Sequence, residues 1–146
     1  MPAQPVTEFN VACVPQSRVE IARSIVEAFA QAGFGGAQQL AALANAIGES
    51  NLEPDAMSAP PDRSVGLFQL NMVGGLGAGH SVAELQDPAV NIGIMVSAAQ
   101  KSEAFASAAS VQDAVGVFVR TLMRPAGPAS EIVNRVAIAE RLAQIN

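Results

Sequence analysis

The chain has 146 residues, half of them hydrophobic, 14% charged and 4% aromatic, with a formal net charge of −5 and a pI near 4.7. That length suits one domain around one core, and the acidic balance argues against nucleic acid as the main partner, because phosphate binding needs a basic face. No apolar run reaches the roughly 18 residues that argue for a membrane span. The start of the chain lacks the basic opening and apolar block of a secretory signal. A lone Cys13 and a lone His80 exclude an internal disulfide and a Cys/His metal cluster, so no metal or other cofactor is expected.

Residues 1–16 hold three prolines and no helical period, and read as an irregular lead-in. Ser17-x-x-Glu20 has the capping-box pattern. Behind it Ile21, Ile25, Val26 and Phe29 recur at helical spacing until Gly33. The spacing predicts a second helix from about Ala37 to Glu49, with Leu40, Leu43, Ala44 and Ile47 as its core stripe. Residues 50–86 then carry Pro54, Pro60, Pro61, Gly66, Gly74, Gly75, Gly77 and Gly79, which exclude a long helix. A loop of that length in a compact domain is usually functional. Within it, VGLFQLNMV reads equally as a short strand or a helical turn.

Helices resume at Asp87, an N-cap with Pro88 at the first helical position and Ile92, Met95, Val96 and Ala99 inward. Ser110 caps the next, with Val111, Val115, Phe118 and Leu122 inward until Pro125. A last helix follows Pro128, with Ile132, Val136, Ala139 and Ala143 inward. Arg120, Arg124, Arg135 and Arg141 make this end of the chain locally cationic, which reads most simply as a solvated helix face. The expectation is a mainly α (α+β) fold in one domain over residues 1–146, of about five helices, with a long irregular or short-hairpin insertion after the second.

Glu49 stands at the end of the second helix. At about 100° per residue it lies opposite the core stripe, beside the small residues Ala42, Asn45 and Ala46, which implies a shallow depression. The helix C-terminus carries about half a unit of negative charge, and enclosure by Leu67 and Phe68 adds to its effect; both raise the pKa of the carboxyl. A carboxyl held protonated near neutral pH suits a general acid that protonates a leaving oxygen. On position alone, a surface glutamate at a frayed helix end is the simpler reading.

Three segments in this order resemble the lysozyme-like superfamily, especially phage-tail lysozymes and soluble lytic transglycosylases. ALANAIGESNLEPDA is similar to the helix that ends there in the catalytic glutamate. SVGLFQLN resembles the Gly-Leu-(Phe/Met)-Gln segment that lines the cleft opposite the acid, and DPAVNIGI the Asp-Pro-x-x-Asn-Ile start of the next helix. A weaker likeness is FVRTLMRPAGPASEIVNRVAIAERL, where Met123 replaces the Glu of a Glu-Arg-Pro helix end. The resemblance implies a groove for a β-1,4-linked amino-sugar strand between a helical and a smaller irregular lobe. It also implies Glu49 as the acid, with Ser50, Gln69 and the Gly66–Leu67–Phe68 backbone shaping the adjacent subsite, and Asn91 in the following motif.

An inverting hydrolase needs a second carboxylate, roughly 6.5–9.5 Å away, to activate water. Glu53, Asp55 and Asp62 are available in the loop. Asp62 is preferred because the chain from Pro60 to Gly66 must return to the groove to place Gln69, and Ser64 is the candidate to help hold the water. Without a facing carboxylate, cleavage would be non-hydrolytic and leave a 1,6-anhydromuramyl end. The chain also departs from the resemblance in having no Tyr or Trp to pack on sugar rings, and in being acidic. Delivery by a phage tail or phage-like particle would offset weak capture by raising local concentration. The expected partner is therefore a peptidoglycan strand, with particle proteins beside it, and an inactive wall-docking tail component is the competing class.

Overall fold

The computed structural model describes residues 3–5, 9–58, 63–125 and 127–144. After two 3-10 turns at Val11–Cys13 and Gln16–Arg18, the chain forms α1 (Val19–Gln31) and α2 (Gly36–Ser50). A two-stranded hairpin of β1 (Ser64–Val65) and β2 (Leu70–Asn71) follows, then α3 (Val82–Leu85) and α4 (Pro88–Gln100). The last part is α5 (Glu103–Ala106), α6 (Val111–Val117), a π-helical turn at Phe118–Met123, and α7 (Pro128–Ala143). The fold is mainly α, as expected, with a short hairpin in the insertion after the second helix.

α2 is the central element. It packs most extensively on α7 and then on α1 and α6. Every residue from Gln38 to Ala46 is buried, which its alanines permit: short side chains let three neighbouring helices approach closely on all sides. The expected open depression along Ala42, Asn45 and Ala46 is therefore absent, since all three are fully buried. Two buried glutamines secure the helix start. Gln38 Nε2 donates to the carbonyls of Phe105 and Ala108 at 3.0 Å, and Gln39 Nε2 to that of Phe34 at 2.8 Å. Five phenylalanines, Phe29, Phe34, Phe68, Phe105 and Phe118, form a connected ring cluster with centroids 5.1–6.4 Å apart. With Phe9 also buried, no phenylalanine shows a face to solvent.

Several local expectations change. The Ser17–Glu20 capping box does not form. Pro15 starts a 3-10 turn closed by Arg18 N–H to Pro15 O, so the helix begins after Arg18 without a side-chain cap, and Glu20 pairs with Arg23 instead. The capping box that does form is Ser81–Glu84, which starts α3 inside the stretch read as irregular. In α7 Ala139 is buried as expected and Ile132 and Val136 pack half-buried against the core, but Arg135, Ile138 and Leu142 are buried as well and Ala143 is exposed. That turn of the helix brings a charged residue inward, for the reason given below. Among the described residues no helix is long and apolar enough to cross a membrane.

The VGLFQLNMV segment resolves into strand, turn and strand. Val65 faces Leu70 and Ser64 faces Asn71, with Gly66–Gln69 as the turn. Gly66 (φ +82°) is required there twice over: its backbone is left-handed, and a Cβ would collide with the Asn91 amide and the Leu85 carbonyl. Asn91 holds the turn against α4. Its Oδ1 accepts Phe68 N–H at 3.0 Å, and its Nδ2 donates to Val65 O at 3.0 Å and Leu85 O at 2.9 Å, all fully buried.

Candidate active site

Glu49 is the penultimate residue of α2. The helix stops because Asn51 and Leu52 both adopt left-handed backbone (φ 51° and 62°), which turns the chain away sharply. Ser50 fixes that reversal: its Oγ donates to Leu67 O at 2.7 Å and accepts Leu52 N–H at 3.1 Å. The acid is thus carried at the tip of the best-buried helix and tied to the hairpin turn by its neighbour.

Beside Glu49 lies a cavity of about 400 Å³. The hairpin and its glycine-rich continuation form one wall, through Ser64, Gln69, Asn71 and Leu76 among others. Met95 and the segment Leu122–Pro125 contribute the other side. Of the residues expected to contact a sugar strand, Ser64, Phe68 and Gln69 line this cavity. Ser50, Gly66, Leu67 and Asn91 do not; they are buried behind it and bind its wall to α2 and α4. Gln69 spends its amide on the turn, donating to Ala56 O and Gly66 O at 3.0 Å.

Arg135, from α7, is the neighbour that sequence reading missed. Its Nη2 meets Glu49 Oε2 at 2.5 Å and Glu131 Oε2 at 2.6 Å, with the guanidinium side chain only 7% exposed and Glu49 22% exposed. The residue read as part of a solvated cationic face is instead buried as the bridge between two carboxylates. Gly48 makes the room. A Cβ there would overlap the Arg135 guanidinium, so the helix tolerates a glycine one residue before the acid. That glycine was the one available signal, since a helix-interior Gly costs about 1 kcal/mol and usually answers a packing need. Nothing in sequence spacing links it to a partner in the last helix.

The Glu49 carboxyl is pushed above the usual glutamate range, first by burial. The Arg135 hydrogen bond and its charge work the other way, and the Glu131 charge adds to the rise. Burial wins in direction. With Oε2 engaged by a guanidinium N–H, the proton of the neutral acid is left to Oε1. A single carboxyl with one oxygen clamped and the other available for a proton can act as a proton donor to a bound oxygen.

The two described candidates for a second acid, Glu53 and Asp55, are not at the cavity wall. Glu53 is paired with Arg18 at 2.6 Å, Asp55 is exposed elsewhere, and Asp62 lies outside the described residues. Among the described residues Glu49 is the only carboxylate lining the cavity, and the other charged group there is Arg124. Met123, which stands where the weaker likeness has a glutamate, lines it with a thioether.

A central helix ending in an enclosed acid, a short hairpin across a cleft and a surrounding helical domain make a lysozyme-like fold. The family model described as phage tail lysozyme matches residues 20–145, and the chain belongs to that family. No curated protein and no solved structure matches the chain. Membership indicates a lysozyme-like function directed at peptidoglycan.

Proposed function

We propose that the protein is a muramidase that cleaves the β-1,4 bond between N-acetylmuramic acid and N-acetylglucosamine, with Glu49 protonating the leaving oxygen. The observation that supports this most is the enclosed Glu49 carboxyl, raised in pKa by burial and facing a cavity of about 400 Å³. On this reading Ser64, Phe68 and Gln69 line the subsite beside the acid. Ser50, Gly66, Leu67 and Asn91 hold that wall in place. Asp62 is the proposed base that activates water. Action on the wall from a phage tail or phage-like particle completes the proposal.

One observation favours a second reading. With no other carboxylate on the described cavity wall, the C6 hydroxyl of muramic acid can attack its own C1. Glu49, having given its proton to the departing O4, then takes the proton of that hydroxyl, and one acid serves both steps. Mass spectrometry of digested sacculi separates the two: a reducing muramic acid end for hydrolysis, a 1,6-anhydro end for closure. Glu49→Gln should lower either rate by about 10²–10⁴-fold while wall binding persists. Full turnover by that variant would refute Glu49 as the acid. An inert wild-type protein that still binds sacculi would point to a docking component.

A further inference from the structure

The segment FVRTLMRP ends α6 in an unusual way. Phe118–Met123 is a π-helical turn, a widened form found frequently at functional sites. It closes on Arg124, whose N–H reaches Val119 O at 2.7 Å and whose backbone is left-handed (φ 48°, ψ 54°). Glycine or asparagine is the usual occupant of such a position, and Pro125 then prevents the helix from continuing. The result is an exposed arginine on the cavity wall.

Arg124 makes no ion pair among the described residues. The other charged wall residue, Glu49, already has its counter-ion in Arg135. Among the described residues, a protein of net charge −5 therefore presents a positive charge at the cavity with no ion-pair partner. A neutral amino-sugar strand gives such a group nothing to neutralise. A carboxylate does, because the planar guanidinium fork matches it with two parallel hydrogen bonds.

We propose that Arg124 binds a carboxylate carried by the muramic acid unit, on its lactyl group or its peptide stem, and so makes the cleft prefer muramic acid strands over neutral amino-sugar polymers. This rests on the reading that Glu49 faces a peptidoglycan strand.

Binding is measured with Glu49→Gln protein, which removes turnover, on three probes. They are stem-bearing glycan strands, strands stripped of stems by an amidase so that the lactyl carboxylate is free, and chitin oligosaccharides, which have no carboxylate. Adding Arg124→Gln should weaken binding of one or both charged probes by about tenfold and leave chitin within about twofold. Arg124→Lys should recover only part of the affinity, because an ammonium keeps the charge but not the fork, and high salt should shrink the difference. Loss confined to stripped strands identifies the lactyl group, and loss confined to stem-bearing strands identifies the stem. In otherwise native protein Arg124→Gln should raise KM with kcat unchanged. Equal loss on all three probes, chitin included, would show a merely structural arginine, and no loss on either charged probe would equally overturn the proposal. A wild-type protein that cut no strand would refute the muramidase reading, while the binding ratios would still decide the role of Arg124.

Discussion

Replacing Asn91 by alanine tests whether the cavity wall is held from behind. The side chain is fully buried and makes three hydrogen bonds of 2.9–3.0 Å, to Phe68 N–H, Val65 O and Leu85 O. Truncation leaves three backbone groups without that partner, and each orphaned group costs about 1–3 kcal/mol. The two carbonyls keep a second lone pair, and water entering the vacated space relieves part of the loss, so the lower end, about 3 kcal/mol, is expected. That is a large share of the roughly 5–15 kcal/mol available to a domain of this kind. Urea denaturation followed by circular dichroism should show a lower midpoint with an unchanged slope. Activity should fall together with stability, because the hairpin turn carries Phe68 and Gln69. Asn91→Asp should fare no better near neutral pH, since its carboxylate would face two carbonyl oxygens, and it should recover stability as the pH is lowered and it protonates. A loss below about 1 kcal/mol accompanied by a hundredfold drop in kcat would refute this reasoning and place Asn91 in contact with substrate.

Other expectations follow from the same geometry. Gly66→Ala should destabilise by more than about 1 kcal/mol, because the new carbon meets Asn91 and the Leu85 carbonyl at a left-handed backbone position; denaturation measures it. Arg135→Gln removes influences that lower the Glu49 pKa, so the alkaline limb of the pH–rate profile should move up. Glu131→Gln removes an influence that raises it, so that limb should move down, and shifts of the same sign in both variants would contradict the clamp. Gly48→Ala should gain about 1 kcal/mol of helix propensity and yet show little net stabilisation. Its methyl group displaces the Arg135 guanidinium, and its alkaline limb should follow that of Arg135→Gln.

What was legible in the sequence was local. Asp87–Pro88 specifies a cap and a first turn by chemistry confined to a few residues, and α4 starts there as expected. α2 was legible by its period, but its surroundings were not: an alanine-rich helix looks one-sided on a helical wheel, and only packing shows it enclosed on every side. α3 and α5, of four residues each, are too short to carry a period, although Ser81 and Glu84 held the box pattern. At Ser17 the same pattern misled, because a preceding 3-10 turn took over the start of the helix. Within the site, Glu49 drew notice through its helix-end place taken together with the lysozyme-like segments around it, since position alone favoured a surface glutamate. Arg135 was not, because an ion pair spanning 86 residues leaves no trace in spacing.

The enclosure of α2 by α1, α6 and α7 gives the two sides of the cleft unequal resistance to opening. Amide hydrogens along α2 should exchange only when the whole domain unfolds, whereas those of the two-residue strands and the loop around Gly74–Gly79 should exchange through small local openings. Warming short of the global transition would therefore loosen the jaw proposed to grip the strand while the jaw that carries Glu49 stays rigid. Thermal inactivation should accordingly begin as a loss of grip, before any loss of helix.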